Sequence, residues 1–138
     1  MDESRVKRIF FEGTKKEVWE HSLAYLKNPV KKILYYDDIV TDLSFTEGGS
    51  AALAHYTSLN PDETKTYVMD TKGYKNLQHN SISVNKNDIE GNICIEIWNY
   101  PPLHQNYADP LSLYLTLRDD RDPRTEKELE IMINKLWL

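Results

Sequence analysis

Two Asp-Pro steps divide the last third of the sequence into two helical segments. Asp109-Pro110 and Asp122-Pro123 each place a carboxylate, which accepts hydrogen bonds from free helical amides, before a proline whose φ is already helical. After the second step, apolar residues follow at helical spacing: Leu129, Met132, Ile133, Leu136 and Trp137. We therefore expect a closing helix pair whose apolar stripe, with Leu129 and Ile133, is buried against the sheet or in a partner subunit. Its charged side should face water: Glu126, Lys127 and Glu130.

A further helix begins near the start of the sequence. Thr14 and Glu17 have the spacing of a capping box, in which each side chain bonds the backbone amide of the other residue. An apolar stripe follows at helical spacing: Trp19, Leu23 and Leu26. Asn28-Pro29 stops the helix, since the residue before a proline avoids the α region. These signals predict a helix over residues 15–27.

Short β-type segments alternate with the helices. Residues 5–11, 30–36, 64–69, 81–84 and 93–98 are rich in β-branched or aromatic residues or alternate in polarity. In the last of them, Ile93, Ile95 and Ile97 share one face. Gly48-Gly49-Ser50 opens a short helix that ends at Tyr56, and residues 70–78 permit another. This order predicts an α+β fold in which a mixed β-sheet is covered by helices, as a single domain over residues 1–138.

The composition of the 138 residues excludes several classes of protein. Hydrophobic residues make up 40% of the chain, which excludes a disordered tail, and no apolar run approaches the ~20 residues of a membrane span. The single cysteine, Cys94, excludes an internal disulfide and a cysteine-based zinc site. A net charge of −5 means that acidic residues outnumber basic ones, whereas proteins that bind nucleic acids usually carry a basic face. We therefore expect no direct DNA binding by this chain alone. The first residues do not resemble a signal peptide, and we expect a cytoplasmic location.

The residue types that carry catalysis or bind metals are scattered along the sequence. No two histidines have the i, i+3 or i+4 spacing that would let one helix offer both to a metal: His21, His55, His79 and His104. Cys94 lies on the face of its predicted strand opposite the isoleucines, without a neighbour that would favour the thiolate, so we interpret it as an inert, buried or half-buried thiol. We expect no catalytic residue, no metal and no cofactor.

Gly48-Gly49-Ser50 is the candidate ligand-binding segment. Its amides and the helix dipole suit a phosphate, whereas a tight turn with Ser50 as the N-cap explains the same residues structurally. The segment is similar to the glycine-serine helix start of nucleotidyltransferase-type toxins. Those proteins need a strand-borne carboxylate pair for Mg²⁺, but the matching stretch here, Asn60-Pro61-Asp62-Glu63, is a turn, and Asp70 stands alone. The resemblance therefore implies at most a degenerate, nucleotide-binding transferase domain.

The densest aromatic stretch, Trp98-Asn99-Tyr100-Pro101-Pro102 with Tyr107 nearby, is the candidate interaction surface. Aromatic side chains on a loop stiffened by prolines lose little entropy when they bind a partner. The same residues also suit a loop folded over the edge of the sheet. The sequence leaves both interpretations open for Trp98, Tyr100 and Tyr107.

Four segments together resemble the C-terminal portion of bacterial MarR-type winged-helix regulators, which are distantly similar to the antitoxins of type IV (abortive-infection) toxin–antitoxin pairs. They are residues 16–32, which begin Lys16-Glu17-Val18-Trp19, and residues 50–57, 95–100 and 109–121. In such proteins a winged helix precedes the tryptophan-bearing helix, so the resemblance implies that residues 5–11 are the last strand of an excised upstream winged helix. It also implies a homo-oligomer or a cognate toxin as partner, with DNA bound only through an upstream domain.

Our first hypothesis is therefore a non-enzymatic regulatory domain of a winged-helix transcriptional regulator or antitoxin, acting in effector binding, dimerisation or toxin contact. Two alternatives stay open. One is the degenerate nucleotidyltransferase-like domain that binds a nucleotide at Gly48-Gly49-Ser50. The other is a stand-alone protein-interaction module that uses the aromatic stretch from Trp98 to Tyr107.

Overall fold

The computed structural model describes residues 12–41, 44–87, 91–120 and 122–138. In chain order they form α1 (Lys15–Ser22), β1 (Val30–Thr41), β2 (Thr46–Glu47), α2 (Gly49–Tyr56), β3 (Lys65–Asp70), α3 (Thr71–Asn80), β4 (Ser81–Asn87), β5 (Ile93–Trp98), α4 (Pro110–Leu117) and α5 (Pro123–Lys135). The predicted α+β class is confirmed. Residues 5–11, predicted as a strand, lie outside the described residues.

The described strands form one mixed sheet in the order β2-β3-β5-β1-β4. Strand β5 pairs in parallel with β3 and antiparallel with β1, and the pairs β1–β4 and β2–β3 are antiparallel. Helix α3 and strand β4 come between β3 and β5 in the chain and provide the crossover connection that a parallel pair requires. The last strand of the sheet to be synthesised therefore lies at its centre.

Each face of the sheet carries its own hydrophobic core. One core includes Ile95 and Ile97 of β5 together with Leu77 of α3. The other core lies under α2, α4 and α5 and contains Trp98 of β5, along with Trp19 of α1. The isoleucines of β5 share one face of the sheet, as predicted, and this is the face that α3 covers. Because side chains alternate along a strand, Cys94, Glu96 and Trp98 lie on the opposite face.

Helix α1 has the predicted capping box, but it ends earlier than its sequence pattern indicates. The Glu17 amide donates to the Thr14 hydroxyl at 3.2 Å, and the Thr14 amide donates to the Glu17 carboxylate at 3.5 Å. The helix stops at Ser22 rather than at residue 27. Beyond it, the carbonyl oxygens of Leu23 and Leu26 accept hydrogen bonds from the Arg118 guanidinium, at 3.2 and 2.7 Å. The Arg118 side chain thus supplies these carbonyl oxygens with hydrogen-bond donors, as backbone amides would in a longer helix.

Both Asp-Pro steps start helices as predicted. The Asp109 carboxylate accepts from the Ser112 amide at 3.0 Å, and the Asp122 carboxylate accepts from the Arg124 amide at 3.0 Å. Leu129 and Ile133 of α5 are buried within the chain, which confirms their predicted burial and shows that it does not require a second subunit. Leu136 was placed in the same stripe but is 41% exposed, because it follows the end of the helix. The charged side of α5 faces water: Glu126, Lys127 and Glu130.

Three strands differ from the sequence prediction. Strand β4 runs to Asn87 instead of ending at residue 84. Strand β1 continues to Thr41 instead of ending at residue 36, since its second half pairs with β4 from Tyr36 opposite Lys86 to Thr41 opposite Ser81. Strand β2, which has two residues, is too short to show a periodic pattern. Among the helices that the structure describes, none combines the length and the apolar character needed to cross a bilayer.

Candidate functional site

A cavity of about 250 Å³ lies on the α2 side of the sheet. Four parts of the chain enclose it: the central strands, the beginning of α2, the loop over residues 59–64, and the region where α4 ends and α5 begins. The residues that line it are Tyr35, Gly49, Ser50, Leu53, Leu59, Asp62, Thr64, Thr66, Cys94, Glu96, Leu117, Asp120 and Thr125. The volume approaches the lower end of the range that small-molecule sites occupy.

Strand register builds the floor of this cavity. Cys94 of β5 lies opposite Tyr35 of β1 and opposite Thr66 of β3, so these three residues form a row across the sheet. Glu96 is two residues further along β5 and therefore projects from the same face. The floor thus has a hydroxyl, a thiol and a carboxyl group side by side, flanked by a phenol.

Glu96 is the charged residue of the floor. The indole Nε1 of Trp98 donates a hydrogen bond to its Oε1 at 3.1 Å. Burial raises the pKa of the Glu96 carboxyl, and the indole hydrogen bond acts in the opposite direction. A carboxylate removed from water requires hydrogen-bond donors or a positive charge, and the indole supplies only one such donor. Glu96 is therefore the polar group of the cavity with the strongest need for a further partner.

Cys94 is 8% exposed, as its inert interpretation predicts. Burial and the nearby Glu96 raise the pKa of the thiol to about 11, although a hydrogen bond with Thr66 acts in the opposite direction. The sulfur is consequently protonated at neutral pH and is a weak nucleophile. Cys94 contributes shape and polarisable surface to the floor.

The candidate segment Gly48-Gly49-Ser50 forms one wall, but its serine has a different role from the predicted one. Gly48 is the N-cap of α2, and Ser50 lies inside the helix, where its hydroxyl accepts from the Asp62 amide at 2.8 Å. The expectation of Ser50 as the N-cap is therefore wrong, because the helix begins two residues earlier, at Gly49. Ser50 instead ties the loop over residues 59–64 to α2.

Close packing of α2 on β3 accounts for both glycines. A Cβ atom on Gly48 would lie 2.7 Å from the Val68 side chain. Gly49 has a φ of 58°, in the left-handed region, and a Cβ there would lie 2.8 Å from the Thr66 hydroxyl oxygen. The pair is thus required by the backbone path and by the neighbouring strand, without reference to a phosphate.

The charges around the cavity are negative. Its described lining contains the carboxyl groups of Asp62, Glu96 and Asp120 and includes no lysine, arginine or histidine. Asp70, the other carboxylate considered as part of a transferase metal site, lies at the end of β3 far from Asp62. It accepts a hydrogen bond from the Gly73 amide at 2.8 Å. Within the described part of the chain, no group of three His, Cys, Asp or Glu residues could hold a metal ion.

The aromatic stretch does not form the predicted surface, because Trp98 is a core residue with 1% exposure. Tyr100 packs edge-on against Trp98, with ring centroids 5.7 Å apart, and its hydroxyl lies 2.7 Å from that of Ser112. Tyr107 stacks on His55 at a centroid distance of 4.0 Å. Of the three aromatic residues, only Tyr107 lines the shallow surface depression that also contains Leu103, which is 70% exposed. The interpretation as a loop folded against the sheet is thus the better one for Trp98 and Tyr100.

Sequence analysis missed Glu96 as a site residue, although a signal was present. The segment Ile-Cys-Ile-Glu-Ile-Trp places one carboxylate between apolar residues of a central strand, on the face shared with Cys94 and Trp98. A charged residue in such a position is seldom buried without a partner. Comparison with protein-family models, with curated proteins and with solved structures finds no match to this chain.

Proposed function

We propose that this chain is a non-enzymatic regulatory domain that binds a small effector molecule in the cavity above Glu96. The observation that carries the proposal is a half-buried carboxyl group in a cavity lined by the sheet, α2 and the α4–α5 region. Apolar side chains on the walls and a few convergent polar groups are typical of small-molecule sites. The walls include Leu53, Leu59 and Leu117.

Binding explains the chemistry of the cavity better than catalysis does. The thiol of Cys94 is held protonated. Among the described lining residues, no histidine or lysine lies beside the hydroxyl groups of Ser50, Thr64, Thr66 and Thr125 to act as a base. The nucleotide-binding alternative fits less well, since the described residues around the space that a phosphate would enter include three carboxyl groups and no cationic side chain.

The position of the cavity suits a regulatory role. Its lining joins the sheet to the end of α4, through Leu117, and to the first turn of α5, through Thr125. A ligand that contacts both sides stabilises one arrangement of the helix pair on the sheet over others. In a cytoplasmic winged-helix regulator or antitoxin, such a change would pass to a second copy, to a cognate toxin or to an upstream DNA-binding domain. The resemblance to MarR-type regulators supports this assignment.

A thermal-shift screen with a matched pair of variants tests the proposal. Thr64 lines the cavity and is exposed, so Thr64→Trp should fill its entrance while leaving the core intact. Glu63→Trp adds the same side chain at the preceding exposed position, which does not line the cavity. We expect compounds from a panel of amines, amino acids, polyols and nucleotides to raise the melting temperature of the parent and of Glu63→Trp, and not that of Thr64→Trp. Failure of every compound, or equal shifts in both variants, would refute the proposal.

A further inference from the structure

We infer that the effector is a small organic amine, bound as its cation, whose ammonium group pairs with the carboxylate of Glu96. This inference rests on the proposed function and specifies the chemical class of the ligand. Three independent features of the cavity lead to it: the incomplete hydrogen bonding of Glu96, the sign of the charges that surround it, and the apolar walls.

The first feature is the unused acceptor capacity of Glu96. A carboxylate has two oxygens with about four acceptor positions between them. Among the described residues, the Trp98 indole is the hydrogen-bond donor to Glu96, and it engages Oε1 at 3.1 Å. The carboxyl group also lines the cavity, so a ligand placed there can reach its remaining positions. An ammonium group has three N–H donors and supplies both the missing hydrogen bonds and the missing charge.

The second feature is the charge that faces Glu96 from each surrounding element. The loop over residues 59–64 contributes Asp62, and the turn between α4 and α5 contributes Asp120. The phenol of Tyr35 and the thiol of Cys94 also line the cavity, and neither group carries a positive charge. Because the described lining holds carboxyl groups and no cationic side chain, it favours a cation in the cavity over an anion.

The third feature separates an organic amine from a metal ion. Leu59 and Leu117 give the cavity apolar wall surface that a bare cation would leave unfilled, and the fully buried Leu53 lies behind it. A volume of about 250 Å³ corresponds to the liquid volume of about eight water molecules. It therefore has room for an ammonium group at Glu96 and a hydrocarbon body between the leucines. The hydroxyl groups of Ser50 and Thr66 line the same cavity and can accept hydrogen bonds from the remaining N–H groups of the ligand.

A charge series of nearly identical shape tests this inference: benzylamine, benzyl alcohol and benzoate. Titration calorimetry gives their affinities, and the indole N–H signal of Trp98 in NMR spectra, assigned with Trp98→Phe, reports whether the compound reaches the Glu96–Trp98 pair. We expect benzylamine to bind the parent at least about tenfold more tightly than benzyl alcohol, and benzoate to bind more weakly than either. Binding of benzylamine should shift the Trp98 indole signal.

Glu96→Gln is the decisive variant, because it keeps the shape and the acceptor for the indole but removes the charge. We expect it to abolish the preference for benzylamine over benzyl alcohol. Glu63→Gln makes the same chemical change at an exposed position outside the cavity lining, and should keep the preference.

If benzyl alcohol binds the parent as tightly as benzylamine, the cavity binds ligands as proposed but the amine assignment is wrong. The assignment is also wrong if Glu96→Gln retains the preference. If none of the three compounds binds the parent at millimolar concentration, the amine assignment fails. A positive panel screen with Thr64→Trp as the negative variant would then still support the proposed function.

Discussion

Replacing Gly49 with alanine tests whether backbone geometry requires the glycine pair at the start of α2. Gly49 has a φ of 58°, and in this left-handed region an L-residue costs roughly 1–2 kcal/mol. The new Cβ would also lie 2.8 Å from the Thr66 hydroxyl oxygen and 3.0 Å from the Thr66 Cβ. Overpacking of this kind costs typically about 1–3 kcal/mol. We therefore expect Gly49→Ala to lower the free energy of unfolding by about 2–5 kcal/mol.

Urea denaturation followed by far-UV circular dichroism measures this change. A double-mutant cycle with Thr66→Ala separates the two contributions, since this substitution removes the nearest atom but leaves the left-handed φ unchanged. The double variant should recover only the part of the overlap contribution that comes from the Thr66 hydroxyl oxygen, because the Thr66 Cβ, 3.0 Å from the new Cβ, stays in place. It should therefore retain a loss of at least about 1–2 kcal/mol. Gly73→Ala is the comparison at the third residue of α3, where φ is not positive and a Cβ would lie 3.1 Å from the Met69 Cβ and 3.2 Å from the Asp70 carboxylate. These contacts are looser than those at Gly49, so the substitution should cost less than Gly49→Ala. A Gly49→Ala protein within about 0.5 kcal/mol of the parent would refute the reasoning.

Four further substitutions test other parts of the structure. Burial raises the pKa of Glu96 in the folded protein above its value in the unfolded chain. The folded state is therefore most stable at a pH where Glu96 is protonated in both states, and it loses this stability as the pH rises through the folded pKa. Because glutamine stays neutral, Glu96→Gln should raise the melting temperature at pH 8 and raise it less near pH 4. An equal rise in melting temperature at both pH values would contradict this. Ile133→Ala should cost about 2–5 kcal/mol because Ile133 is buried, whereas Lys127→Ala, at an exposed position of the same helix, should cost under about 0.5 kcal/mol, both measured by urea denaturation. Arg118→Ala should cost about 1–3 kcal/mol in the same assay, since its guanidinium donates two hydrogen bonds to carbonyls beyond α1, and an unchanged midpoint would show that water replaces them.

The parts of the fold that sequence analysis predicts correctly depend on chemistry within a few residues. The capping box of Thr14 and Glu17 and the two Asp-Pro helix starts each involve partners within three positions of one another. The period of two in β5 likewise predicts which face the isoleucines occupy. Local signals of this kind do not depend on how the rest of the chain is arranged.

The errors arise where a distant residue decides the outcome. Helix α1 ends at Ser22, and Arg118, far along the chain, bonds two of the carbonyls that follow. Trp98 is buried because α2, α4 and α5 cover its face of the sheet, which the aromatic stretch alone does not reveal. The cavity is of the same kind, since its walls come from separate segments that only the tertiary fold brings together. Among its lining residues, Gly49 and Ser50 were singled out by their local pattern, and Glu96 had a local signal that was missed.

The central position of β5 sets the order in which the sheet can be completed on the ribosome. Until residue 98 of 138 has emerged, the nascent chain lacks the strand that joins β3 to β1, and both of those strands present an unpaired edge. The same strand brings Ile95 and Ile97 to one core and Trp98 to the other, so neither core can close before it arrives. Pairing between strands distant in sequence is slow, typically milliseconds to seconds. Before β5 is synthesised, the unpaired edges of β1 and β3 can pair with other chains. Insertion of β5 between them covers both edges at once.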